Sequence, residues 1–235
     1  MRRAALLLLT CALLTTPGLA SARRVVMVEL FTAQGCSSCA KANALIAQLA
    51  DRPGLIALTW PVDYWDYLGW KDTFAQPQFA DRQRLYEHRL GLRDVYTPQV
   101  IVNGAAQAAG DKAAAIDTLI RQARRAPGRS PDIAFLPGGR VAVGSGRPPR
   151  GGAEVWWVSF DPRQQDVEVK AGDNRGATVP HKNVVRQLAR LGVWTGRSRV
   201  FKAPVAGEGL TGLVIIQAPR GGAILGALKG PGAAP

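Results

Sequence analysis

Hydrophobic positions in the first half of the chain switch between short apolar runs and stripes at helical spacing. Val25 to Phe31 is an apolar run that fits a buried strand. Cys36 to Ala50 follows at helical spacing, with Cys39, Ala42, Ile46 and Leu49 on one face. Pro53-Gly54 breaks the chain, and Leu55 to Val62 reads as a second strand. Asp63 to Thr73 is an aromatic, acidic loop. Pro77 suits the first turn of a helix whose apolar side carries Phe79, Gln83, Tyr86 and Leu90 down to Gly91. Pro98 opens a third strand, Gln99 to Val102. Asn103-Gly104 is a hairpin turn leading to a weak strand, Ala105 to Ala109. Asp111 is placed to cap a last helix with Ala115, Ile116, Leu119 and Ile120 as its stripe. The order β-α-β-α-β-β-α needs a crossover helix and a hairpin together. An α/β architecture follows, with a mixed sheet flanked by helices.

The pattern changes after residue 127. Asp132–Leu136, Arg140–Val143, Glu154–Phe160, Val167–Lys170, Arg199–Ala203 and Leu213–Gln217 read as short strands between turn residues, a smaller β-rich, sandwich-like part. His181 to Leu191 fits a helix face or a strand. Charge shifts at the same place. Residues 23–127 hold 13 Lys+Arg and 10 Asp+Glu, a net of +3; residues 128–235 hold 15 and 7, a net of +8. The basic, proline-containing stretch 124–131 marks the boundary between residues 23–127 and 128–235. The excess charge is scattered, with no Lys/Arg run interleaved with aromatics. It therefore reads as a solvated surface and not as a nucleic-acid site.

Residues 1–22 have the layout of an export signal. Arg2 and Arg3 precede the apolar Ala4 to Leu14, and Ala20-Ser21-Ala22 offers a small-x-small cleavage site. Arg23-Arg24 just beyond is unfavourable for export and leaves cleavage after Ala20 as an alternative. No later apolar run is long enough to span a bilayer. A periplasmic or secreted location is expected. Removal of the signal takes Cys11 with it and leaves Cys36 and Cys39 as an even pair in an exported protein, which points to disulfide chemistry.

Cys36-Ser37-Ser38-Cys39 falls between a strand and a helix. A thiolate on Cys36 would face the free amides and positive end of the helix, which lowers its pKa below the ~8.5 of a free thiol. Cys39, one turn on, could then resolve a mixed disulfide. The same spacing serves a structural disulfide or half of a zinc site. His88 and His181 are the only histidines and are far apart in sequence, so tetrahedral zinc is poorly served. No metal or cofactor is expected. Glu29 is a candidate proton acceptor behind the pair, or a solvated strand residue. Trp65 and Trp70 could wall a groove for a partner protein or pack as a lid, and Thr97 beside Pro98 is a third candidate contact. Asp63, Asp66 and Asp72 are expected to cap or pair and not to bind a cation.

Three segments together resemble a secreted bacterial family, domain of unknown function 1223, of the thioredoxin-like superfamily. They are Val28-Glu29-Leu30-Phe31-Thr32-Ala33-Gln34-Gly35-Cys36-Ser37-Ser38-Cys39, Val62-Asp63-Tyr64-Trp65-Asp66-Tyr67-Leu68-Gly69-Trp70-Lys71-Asp72 and Tyr96-Thr97-Pro98-Gln99. Asn174-Arg175-Gly176, Asn183-Val184-Val185-Arg186 and Gly222-Ala223-Ile224-Leu225-Gly226-Ala227 look like its C-terminal motifs. The resemblance covers nearly all of residues 23–235. It implies a thioredoxin-like sheet and a Pro98 that is similar to the cis-proline of thioredoxins, beside the cysteines. It implies no established reaction. Two positions depart: Pro61 stands where the family has His, and Gly35 where thioredoxins have an aromatic. The expectation is thiol-disulfide exchange through Cys36 and Cys39 with a protein or small-thiol partner. The alternatives are an envelope binding module with a structural disulfide, or Cu(I) handling by the two thiolates.

Overall fold

The computed structural model describes residues 25–128 and 130–230; the export signal read from the sequence lies outside them. Strands β1 (Val26–Thr32) and β2 (Leu55–Pro61) are buried along their whole length, so both faces need cover. They pair in parallel, as two strands joined by a helix must. On its other edge β1 pairs antiparallel with β3 (Gln99–Val102), and β3 with β4 (Ala106–Ala109). Asn103 and Gly104 both sit at positive φ, 49° and 62°, and the Ala105 N–H donates to the Val102 carbonyl at 3.0 Å. That is the twisted hairpin turn the Asn-Gly pair dictates.

Helices α1 (Cys39–Ala50) and α3 (Ala113–Arg125) share one face. Ala42, Ile46, Leu49, Ile116 and Ile120 meet Val26, Val28 and Leu30 there. Helix α2 (Pro77–Leu90) takes the opposite face, opening on Pro77 and closing on Gly91 at φ 64°. Two local expectations change. Helix α1 begins at Cys39, because Cys36 and Cys39 donate their N–H groups to Ala33 and Cys36 carbonyls in turns. Asp111 does not cap α3: the helix starts from Lys112 with no side-chain cap, and the Asp111 carboxylate pairs with the Lys112 ammonium at 3.0 Å.

The second half builds β5 (Ile133–Leu136), β6 (Arg140–Val143), β7 (Ala153–Asp161), β8 (Gln165–Glu168) and β9 (Thr178–His181). It continues with β10 (Val184–Trp194), β11 (Arg199–Lys202), β12 (Thr211–Gln217) and β13 (Ile224–Lys229). His181 to Leu191 is therefore strand. Residues 124–131 do link two regions of different composition, yet the large sheet crosses that boundary. Its order is β13-β12-β7-β10-β2-β1-β3-β4.

The seam is short. Val184 lies opposite Thr59, in parallel. Asn183, at φ 53°, donates its Nδ2 to the Ala57 carbonyl at 2.8 Å and accepts the Thr59 N–H at 3.0 Å. The three-stranded sheet β11-β6-β5 forms a second layer over the far end. There Val141, Val143 and Phe201 pack with Val155, Trp157, Trp194, Val214 and Ile216. On the α2 face one core runs through both halves, from Phe31, Trp60 and Phe79 to Val158, Phe160, Leu213 and Ile215.

Candidate functional site

Cys36 and Cys39 form a disulfide at the junction of β1 and α1. The two sulfur-bearing residues differ in access. Cys36 is 6% exposed and Cys39 is sealed at 0%, while Ser37 and Ser38 between them are exposed. Apart from the Cys39 N–H, which the Cys36 carbonyl accepts, the positive end of α1 meets no side-chain cap and no acidic residue in its first turn. The Ser38 hydroxyl lies 3.5 Å from Cys36 Sγ.

The residue that leads into this loop, Gln34, is fully buried and held at every polar atom. Its N–H donates to Asp72 Oδ2 at 2.7 Å. Its Oε1 accepts from Trp70 Nε1 at 2.9 Å and from the Thr73 N–H at 3.1 Å, and its Nε2 donates to Thr73 Oγ1 at 2.8 Å. Its carbonyl accepts from Asn174 Nδ2 at 2.7 Å. Asp72 also accepts the Phe74 and Ala75 N–H groups. Burial pushes the Asp72 carboxyl up to about 6, against the pull of those three amides. Asp66 in turn accepts the Asp72 N–H at 3.0 Å. So Trp70 is placed as a strut of the cysteine loop, with its indole N–H turned inward, and Asp66 and Asp72 bind backbone amides. Among the described residues no group of three or more His, Cys, Asp or Glu side chains gathers as a metal site.

On the other side stands Pro98, joined to Thr97 by a cis peptide bond. Gly110 shows how close the proline comes to α1. A Cβ on that glycine would lie 2.8 Å from both the Pro98 Cβ and the Ala42 Cβ. Ala42 is one turn beyond Cys39, so the proline loop lies against the helix that carries the pair. Trp65 connects the parts: its Nε1 donates to Thr97 Oγ1 at 2.7 Å, and its carbonyl lies beside Gly35. Tyr67 stacks on Trp65 with centroids 6.1 Å apart and is 75% exposed. Trp65 thus joins Thr97 to the cysteine loop, while Pro98 is buried beside Gly110 and Ala42.

Glu29 is the buried acid of the two readings, but it serves another network. It accepts from Arg82 Nε at 2.8 Å and from the Tyr86 hydroxyl. Arg82 reaches on to Gln217 Oε1 at 3.2 Å, and its guanidinium lies over the Trp60 ring. Burial is the largest single influence and opposes the Arg82 charge, but Glu29, Tyr86 and Glu154 together outweigh it and hold the guanidinium protonated. Among the described residues neither Glu29 oxygen is bonded to a cysteine. His181 is also buried. Its Nδ1 faces the Val179 carbonyl at 3.0 Å, and its Nε2 has no partner among the described residues. Burial pulls it down to about 4, so it is neutral at pH 7.

Asn174 escaped attention as a site residue. It lies in the turn between β8 and β9, is 8% exposed, and donates Nδ2 to both the Gln34 and Cys36 carbonyls, at 2.7 and 2.8 Å. The one signal for it was its place in the Asn174-Arg175-Gly176 motif. Nothing local relates that turn to a loop 138 residues earlier.

Two solved structures are similar to the chain as a whole. The crystal structure of a protein from Agrobacterium tumefaciens, a structural-genomics target, is similar at a TM-score of 0.75 and 30% identity. The match covers 90% of this chain and 96% of that one. HBP35 of Porphyromonas gingivalis shares the fold at a TM-score of 0.56 and 13% identity, over 88% of this chain and 75% of its own. No curated protein matches. The model of the family described as protein of unknown function (DUF1223) matches residues 27–217, and the chain belongs to that family.

Proposed function

We propose that the protein is an exported, thioredoxin-like thiol-disulfide exchange protein acting through Cys36 and Cys39. What carries the reading is the pair's asymmetry. Cys36 is the member of the pair with some exposed surface, 6% against 0% for Cys39, and it sits at a helix start with no side-chain cap and no acidic residue. Support comes from the strand order β2-β1-β3-β4 with helices on both faces, and from the packing of Pro98 beside Gly110 and Ala42 of α1. Export rests on the basic, apolar and small-residue pattern of residues 1–22.

In the reduced protein the Cys36 thiolate attacks one sulfur of a partner disulfide. A mixed disulfide forms, and the partner's other sulfur leaves as a thiolate. Cys39 then gives up its proton and attacks Cys36 Sγ, which releases the partner's second thiolate and closes the Cys36–Cys39 bond. Two electrons pass from the pair to the partner. The same steps in reverse oxidise a partner dithiol. The helix start, with no side-chain cap and no acidic residue, stabilises the thiolate, and with it the oxidising direction.

Glutathione disulfide is a sufficient probe. The reduced Cys39→Ala variant should accumulate one glutathione on Cys36, seen as a mass increase. The Cys36→Ala variant should take up none, because Cys39 has no exposed surface. Full exchange by Cys36→Ala would overturn the assignment.

A further inference from the structure

Resting on the exchange reading, we propose that Asn174 is a positioning residue for the redox pair, through which the second half of the chain sets the balance between disulfide and thiolate. Its Nδ2 sends both hydrogens to one short stretch of backbone, the carbonyls of Gln34 and Cys36. Carbonyl oxygens are the negative ends of peptide dipoles, and these two bracket Gly35-Cys36 along the backbone, the stretch that carries the thiolate in the reduced state. A donor on each offsets that negative potential in a buried place, where electrostatic effects are screened least. The Cys36 carbonyl also accepts the Cys39 N–H at 3.1 Å, so Asn174 helps fix the turn that sets the two sulfurs against each other.

The donor cannot drift. The turn around it is closed by Arg175 N–H to Gly172, Ala177 N–H to Asn174, and Gly176 N–H to Val169, at 3.1, 2.9 and 2.8 Å. Gly172 rests against Leu68 and Trp70: a Cβ there would meet the Leu68 carbonyl at 3.6 Å and the Trp70 Cβ at 3.7 Å. Trp70 bonds Gln34. The cysteine loop is thus gripped from two sides, by the 63–73 loop through Gln34 and by the second half through Asn174. The Asp72 carboxylate lies on the N–H side of Gln34 and the amide of Asn174 on the carbonyl side. Each dipole therefore meets a partner of the right sign.

The test compares Asn174→Ser, Asn174→Ala and Asn174→Asp with the unaltered mature protein. Two readouts are taken: thiolate absorbance near 240 nm against pH in the reduced protein, and the equilibrium with glutathione buffers. All three variants should form the thiolate at higher pH and shift the equilibrium toward the disulfide, least for Asn174→Ser and most for Asn174→Asp, which sets an anion against two carbonyls. A tenfold shift for Asn174→Ala corresponds to about 30 mV. If Asn174→Ala fails to fold, Asn174→Ser decides, because it keeps one donor. Unchanged titration and equilibrium in folded Asn174→Ser and Asn174→Asp would overturn the proposal while leaving exchange intact. An unaltered protein that glutathione buffers cannot reduce would instead overturn the exchange reading itself.

Discussion

Acid should weaken this protein through His181, by an amount that can be worked from its surroundings. The ring is buried, stacks edge-on to Phe74 with centroids 5.4 Å apart, and offers an Nε2 with no partner among the described residues. Burial is the main force that lowers it from its ordinary 6.5 to about 4; Arg186 adds to this, and the Val179 carbonyl and Asp166 oppose it. Between those two values the unfolded chain binds a proton that the folded chain refuses, so stability falls as pH falls through that window. The full displacement corresponds to about 3 kcal/mol, of which about 2 kcal/mol is lost between pH 7 and 4.5. Asp72 works in the opposite sense. Its folded value of about 6 lies above its ordinary 3.8, so its contribution to stability rises as pH falls from 6 toward 4 and offsets much of the His181 loss.

A double difference separates the two. Urea unfolding of the unaltered protein and of His181→Leu is measured at pH 7 and at pH 4.5. The stability of His181→Leu relative to the unaltered protein should improve by about 2 kcal/mol at the lower pH, whatever Asp72 contributes. The same relative stability at both values would refute the buried, neutral histidine.

Other perturbations have definite expected outcomes. Arg82→Met leaves the fully buried Glu29 carboxylate with Tyr86 alone, and should cost about 3–5 kcal/mol in denaturant titration. Adding Glu29→Gln to it removes the second charge and should recover part of that loss. Asn183→Ala loses the bond to the Ala57 carbonyl and leaves alanine at φ 53°, so unfolding should ease by about 1–3 kcal/mol. Trp65→Phe removes the donor to Thr97 Oγ1. It should slow exchange with a protein disulfide more than exchange with glutathione, measured as the ratio of the two rates.

The elements of the first half were legible because each obeys a local rule. Pro77 and Gly91 bracket α2, and Asn103-Gly104 sets the hairpin. The seam between halves was not. It depends on Asn183 adopting a left-handed backbone and meeting Ala57 and Thr59 more than a hundred residues away. Strand β10 hid its period for a physical reason. Register shifts at Val185/Gln187 and Arg190/Gly192 each insert a residue, so Val184, Val185, Leu188 and Leu191 fall at spacings that mimic a helix. Strand β9 contains Pro180, which argues against a strand by pattern. In the site, the cysteines and Pro98 announce themselves by type and spacing. Glu29 could not be decided because its partner, Arg82, lies on a helix face where a charge ordinarily means solvent.

We propose a working pair in Cys36 and Cys39, not a fixed staple. The most direct test is the reduction potential of the purified mature protein, equilibrated with glutathione buffers and quenched for counting free thiols. A working pair should give a value between about −120 and −230 mV, the range of proteins that exchange disulfides. A value below about −300 mV would mark a stable structural disulfide and contradict it.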